Sequence, residues 1–258
     1  MGKKTVVFGS FVVDLMGRTP HLPAAGETVK GTVFKMGPGG KGFNQGVAAH
    51  KAGADVTMVT KLGRDSFADI ALNTMKDLGM KQDRILYSDD TETGCALIMV
   101  DENTSQNEIV VILGSCNTIS DAEVDSLEDL LDGSEYLLTQ LETNVSSVER
   151  IVDIACKKGV KVILNTAPIQ PISDELLSKV DLITPNEVEA EILTGVKVDS
   201  EEAADKAAEW FFHKGVKRVL ITLGGRGVYI NTRDKKGIIP AYKVNAIDTT
   251  GAGDAFNG

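Results

Sequence analysis

Two short stretches hold the residues that could do chemistry. "GPGGKGFNQG" (Gly37–Gly46) packs five glycines, a lysine and an asparagine into ten residues, and a helical pattern follows at once. Such a loop lets backbone approach a ligand, and donors at a helix N-terminus suit an anion or a hydroxyl-rich molecule. It is not a Walker A loop, because Gly42 follows Lys41 where serine or threonine is required, and its spacing fails the dinucleotide fingerprint. Taken alone, it reads equally well as a flexible turn with a solvated lysine. "DTTGAGDAFNG" (Asp248–Gly258) sets small residues before Asp254 and then runs on in helical register. A nest of N–H groups there would face an anion, with the Asp254 carboxylate beside it. Such a pair meets the needs of phosphoryl transfer: a cradle for the phosphoryl group and a base for the attacking hydroxyl. The plain alternative is an aspartate that merely favours the helix dipole.

These residues need a scaffold, and one unit recurs that supplies it. "HKAGADVTMVTKLG", "CKKGVKVILN" and "HKGVKRVLITLG" each show a lysine, a glycine and a β-branched run. Each reads as a helix ended by a C′ glycine and followed by a buried strand. Helical patterns precede them at 44–52, 146–158 and 201–214. This alternation predicts βαβ units around a parallel sheet. Two regions break it, 27–37 and 93–114, and the second reads as a hairpin with "DENTSQN" as its polar turn. Together they predict a small separate sheet inserted in the main domain.

Composition narrows the partners. The chain of 258 residues has a formal net charge of −10 and 42% hydrophobic residues. No basic cluster would hold a phosphate backbone or an anionic membrane surface, so neither nucleic acid nor membrane is expected as a partner. Three widely spaced cysteines (Cys95, Cys116, Cys156) predict reduced, mostly buried thiols in a cytoplasmic protein. His21, His50 and His213 have no metal-ligand spacing. His50 and His213 are expected at helix C-termini.

Read in order, "GSFVVDL", "GGKGFNQ", "ITPNEVEAEILTG", "LITLGGRGVY" and "DTTGAGDAFNG" resemble the ribokinase-like (PfkB) family of sugar and nucleoside kinases, from Val6 to Gly258. The resemblance implies a three-layer α/β/α sandwich with a mostly parallel central sheet and a small β-sheet lid. It implies one kinase domain over 1–258, lacking its C-terminal helices, with lid segments at about 15–37 and 93–114. By the same resemblance Asp254 is the general base, and Gly251, Ala252 and Gly253 form the anion hole. Val12, Asp14, Gly40, Lys41, Asn44 and Glu142 line the sugar site. Asn186, Thr222, Gly224, Gly225, Gly227 and Gly253 meet ATP. Glu187 and Glu189 match the Mg²⁺ region, acting through water, since that ion keeps much of its hydration. Asp248 and Thr250 match part of a K⁺ site. Glu191 is left as surface.

The implied reaction moves the γ-phosphate of ATP to a primary hydroxyl of a pentose, first of all D-ribose, giving D-ribose 5-phosphate. Val12 stands where many family members carry an asparagine, and an apolar side chain cannot bond a hydroxyl. Losing such a contact can change the sugar, so fructose, 2-keto-3-deoxygluconate and deoxyribose stay open as acceptors. The sequence stops inside the presumed active-site helix. It is therefore expected to be a truncated chain, one that binds sugar but turns over ATP slowly, or an inactive sugar-binding form. A homodimer through the lid is expected.

Overall fold

The computed structural model describes residues 3–104, 106–245 and 249–258. Its large sheet has eight strands in the spatial order Lys236–Ile239, Val228–Asn231, Arg218–Thr222, Leu182–Ile183, Lys161–Leu164, Tyr136–Thr139, Lys4–Phe8 and Asp55–Val59. The last six pair parallel, and the first two close the edge as antiparallel ribbons. Side-chain alternation explains the layering. Val6, Phe8, Leu137, Val162 and Leu164 enter one apolar core, while Val7, Leu138 and Ile163 pack into a second on the opposite face. A strand buried on both faces has no solvent side, so it reads as an unbroken apolar run. The helices Val145–Lys157 and Glu201–His213 bury residues in the first core, and the helices Lys41–Lys51 and Ser66–Asp77 in the second. The predicted three-layer sandwich is therefore present.

The recurring unit behaves as predicted. Gly53, Gly159 and Gly215 follow helix ends with φ of 95°, 73° and 99°, a conformation that costs glycine nothing. His50 lies in the last turn of its helix and His213 ends another.

A second sheet of four strands lies outside the sandwich, in the order Val33–Gly39, Val12–Thr19, Thr93–Asp101 and Asn107–Gly114. Its central pair is parallel and its outer pairs antiparallel. It corrects the sequence reading in two places. The first strand begins at Val12, not near residue 15, so Val12 and Asp14 belong to this sheet. Residues 27–32 form no strand, and pairing starts at Val33. A third sheet of two residue pairs joins Lys61–Leu62 to Leu86–Tyr87; no sequence signal marked it. The cysteines also depart from expectation: only Cys116 is buried, Cys95 is half-buried and Cys156 exposed. Among the described residues no helix is long and apolar enough to cross a membrane.

Candidate active site

In open α/β sheets, ligands gather beyond the carboxyl ends of the strands, where the chain changes direction. Here the chain runs from Lys4–Phe8 outward to Asp55–Val59 and later returns to Tyr136–Thr139 on the other side of the first strand. Polar residues cluster just past these strand ends, and they are buried: Ser10, Gln140, Glu142, Asn165, Thr166 and Thr184. Burial of so many polar groups is tolerable only where they bond one another or a ligand.

The first glycine loop is shaped by its own chain. Gly40 has φ of 90°, and a Cβ there would lie 2.9 Å from the backbone of Phe11 and Val12. A Cβ on Gly42 would come within 2.5 Å of Gly9 and Ser10, and one on Gly39 would strike the Asp14 carboxylate. The loop therefore lies flat on the turn after the first strand. Glu142 clamps the two together: its Oε2 accepts from Ser10 Oγ at 2.6 Å and from the Lys41 backbone N–H at 2.7 Å. That N–H opens the first helix (Lys41–Lys51), so the carboxylate also sits favourably at a helix N-terminus.

Asp254 sits in the last helix (Ala252–Asn257), which follows Gly251 in the left-handed region at φ 71°. Six residues are too few for a stable isolated helix. It is held by docking instead. Asp254 is buried against the first helix, where Gln45 Nε2 donates to its Oδ1 at 3.0 Å and Asn44 Nδ2 to its Oδ2 at 3.1 Å. Thr184 Oγ1 donates to Asn257 Oδ1 from the sheet side. Gly251 and Gly253 have no neighbour that a Cβ would meet within 4 Å.

Asp14 and Glu142 lie near enough to Asp254 for their charges to matter. Burial, then the Glu142 charge, then the Asp254 charge raise the Asp14 carboxyl above its ordinary value. Three carboxylates thus converge on one place, where hydroxyl donors would relieve them. Val12 is buried at the root of the same strand. Lys41, whose backbone N–H meets Glu142, also faces the last helix. It lines a polar cavity of about 150 Å³ with Gly251–Gly253, Asp254, Asn186 and Glu189.

That polar cavity shares Asn186, Thr222, Ala252 and Gly253 with a larger one of about 650 Å³. The larger cavity is mainly apolar, and Gly224, Gly227, Val228, Ile239, Tyr242 and Phe256 also line it. Gly227, with φ 111°, lets the turn lie against Ile239, Pro240 and Ala241. Gly225 belongs to the same turn but does not line the cavity. A broad apolar hollow opening into a narrow polar one suits a nucleotide, with its base in the first and its phosphates in the second.

The acidic pair near Asn186 is occupied with the fold. Asn186 caps the helix Glu187–Thr194 and exchanges bonds with Glu189, whose Oε2 also accepts from Thr166 Oγ1 at 2.8 Å. Glu187 pairs with Arg226. Both line the cavities, but both oxygens of Glu189 and Oε1 of Glu187 already hold protein donors, which fits an ion met through water better than direct ligation. Among the described residues no cluster of His, Cys, Asp and Glu could hold a metal ion. Thr250 lies in the turn before the last helix; Asp248 lies outside the described residues.

Gln45, Gln140 and Asn165 were missed from the sequence. One signal was present: a polar residue directly after each apolar strand run, as in "LLTQ" and "VILN".

Residues 3–258 match the family described as pfkB family carbohydrate kinase. The chain is 45% identical over 258 residues to the ribokinase of Haemophilus influenzae, covering all of this chain and 84% of that protein. It is 38% identical to a deoxyribokinase of Salmonella typhi, covering 98% of this chain and 82% of that protein. Among solved structures, the ribokinase of Arabidopsis thaliana complexed with ribose and ATP superposes with a TM-score of 0.89 at 29% identity, covering 99% of this chain and 84% of that one.

Proposed function

The chain belongs to the pfkB family of carbohydrate kinases and is an ATP-dependent sugar kinase; from that premise we propose D-ribose as its acceptor and D-ribose 5-phosphate as its product. The observation that carries the reading is the meeting of Asp14, Glu142 and Asp254 beside an open glycine nest. The likeness to ribokinases at up to 45% identity favours ribose over the other sugars. Val12 and the likeness to a deoxyribokinase make 2-deoxyribose the second candidate.

In this reading Asp14, Asn44 and Glu142 bind the sugar hydroxyls, with Val12 and Gly40 shaping the wall. Asp254 takes the proton of the primary hydroxyl. Gly251 and Gly253 offer N–H donors to the transferring phosphoryl group on either side of Ala252, whose own N–H donates to the Thr249 carbonyl, and Lys41 lines the same cavity. Thr222, Gly224, Gly225 and Gly227 seat the nucleotide, with Asn186 at its phosphates. When bound, Mg²⁺ neutralises phosphate charge, and Glu187 and Glu189 would meet its water shell. Asp248 and Thr250 would hold part of a K⁺ site. Positioning and charge stabilisation supply most of the rate in such a reaction.

The small sheet, taken as a lid built from Val12–Thr19, Val33–Gly39, Thr93–Asp101 and Asn107–Gly114, exposes Phe34, Met36, Ile109, Val110 and Ile112. An apolar sheet of this kind is an aggregation hazard unless it is covered, so we assign it to a homodimer contact. ATP consumption and three free cysteines suit a cytoplasmic setting.

The test is ADP release from ATP with ribose, 2-deoxyribose, fructose and 2-keto-3-deoxygluconate in parallel. Ribose should give the highest kcat/KM. A higher value for 2-deoxyribose would reassign the acceptor, and no transfer to any of the four sugars would defeat the reading.

A further inference from the structure

The base of the proposed reaction is held by a residue that touches neither sugar nor nucleotide in that reading. Gln45 is fully buried on the first helix. Its amide is completely committed: Nε2 donates to Asp254 Oδ1 at 3.0 Å and to Asn165 Oδ1 at 3.1 Å, and Oε1 accepts from Gln140 Nε2 at 2.7 Å. Asn165 in turn donates to the Thr184 backbone carbonyl at 2.8 Å. Only one orientation of the Gln45 amide satisfies this chain. Reversing it would turn Oε1 toward two acceptor oxygens and leave the Gln140 donor unmet, and unmet buried groups are costly. Asn44 and Thr184 also hold the last helix, but neither of those bonds reaches Oδ1 of Asp254.

The two oxygens of Asp254 are therefore unequal. Oδ1 faces the buried amide, whereas Oδ2 meets Asn44, which is only half-buried and which the proposed function gives to the sugar. We propose that Gln45 is a positioning residue that fixes Asp254 through Oδ1, leaving Oδ2 as the atom that accepts the sugar proton. The hydroxyl proton passes to Oδ2 as the sugar oxygen bonds to phosphorus and the bond from phosphorus to the ADP oxygen breaks. This assignment rests on the reading of Asp254 as the base.

A double-mutant cycle on the intact protein tests it, with Gln45→Met, Asp254→Asn and the pair. Met fills the space but cannot donate. A misplacement of about 1 Å can cost up to about 10²-fold, so Gln45→Met should lower kcat by about 10–10²-fold. KM for sugar and for ATP should stay within about threefold, because ground-state binding is untouched. In the Asp254→Asn background, adding Gln45→Met should cost less than about twofold, since residues acting as a unit are not additive. Should Gln45→Met fail to fold, Gln140→Met, which removes the support one step back, enters the same cycle with the same expectation and a smaller loss. Equal losses in both backgrounds, or an unchanged kcat, would overturn the role of Gln45. Near-normal kcat in Asp254→Asn alone would instead remove the base reading itself.

Discussion

The two glycine segments look alike in sequence and do opposite things in space. Gly39, Gly40 and Gly42 are glycines because the chain lies against itself: a Cβ at any of them would meet Asp14, Phe11 or Gly9 at 2.9 Å or less. Gly251 and Gly253 meet nothing within 4 Å. Gly251 needs its positive φ, and Gly253 simply leaves room. Glycine richness therefore signals two different demands: the first loop spends it on internal packing and the second on space for a ligand.

The widest break in that contrast comes from paired alanine substitutions. Gly42→Ala drives a methyl into backbone that cannot move aside, and overpacking costs about 1–3 kcal/mol, occasionally more. We expect a lowered unfolding midpoint in thermal denaturation. Gly253→Ala should leave that midpoint nearly unchanged while lowering kcat, since the methyl enters the space proposed for the phosphoryl group. The contrast fails if both variants lose stability alike, or if Gly253→Ala keeps full kcat.

A smaller effect sharpens the picture on the packed side. The folded-state value of Asp14 is raised above its ordinary 3.8 by burial and by the charges of Glu142 and Asp254. The folded protein therefore holds this proton more tightly than the unfolded chain. Its contribution to stability falls as pH rises from the ordinary value through the raised one, and the full penalty persists at neutral pH. Asp14→Asn should thus raise the unfolding midpoint at pH 7, with the gain vanishing at pH below about 3.8. Calorimetry should show weaker sugar binding in the same variant and nearly unchanged ATP binding. Lower stability at pH 7 would contradict the assigned charge crowding.

Much of this is legible in the amino-acid sequence. The C′ glycines Gly53, Gly159 and Gly215 and the apolar runs after them marked helix–strand units, because both demands are local. The small sheet was legible as a break in that alternation, but its start at Val12 was not. "SFVVDL" is apolar enough to pass for the end of a core strand, and only pairing with Val33–Gly39 and Thr93–Asp101 reveals the change of sheet. The motif residues Asp14, Asn44, Glu142 and Asp254 do converge. The buried amides that hold them were hidden, since a glutamine such as Gln45 is usually a surface residue and nothing in its neighbours says that it faces Asn165 and Asp254. The packing reason for Gly40 and Gly42 was hidden likewise, because it lies in the turn from Gly9 to Val12, some thirty residues away in sequence, and that for Gly39 lies in Asp14.

The central claim is that the packed loop and the open nest meet at Asp254, which takes the proton of the sugar hydroxyl. The most direct measurement is γ-phosphate transfer from ATP to ribose by Asp254→Asn, alongside calorimetric ribose binding. Asparagine keeps the size and cannot accept the proton, and general-base contributions run to about 10²–10⁴-fold. We predict a kcat loss of that order with ribose affinity nearly intact. A kcat close to that of the unaltered protein, with ribose still bound, would contradict the account.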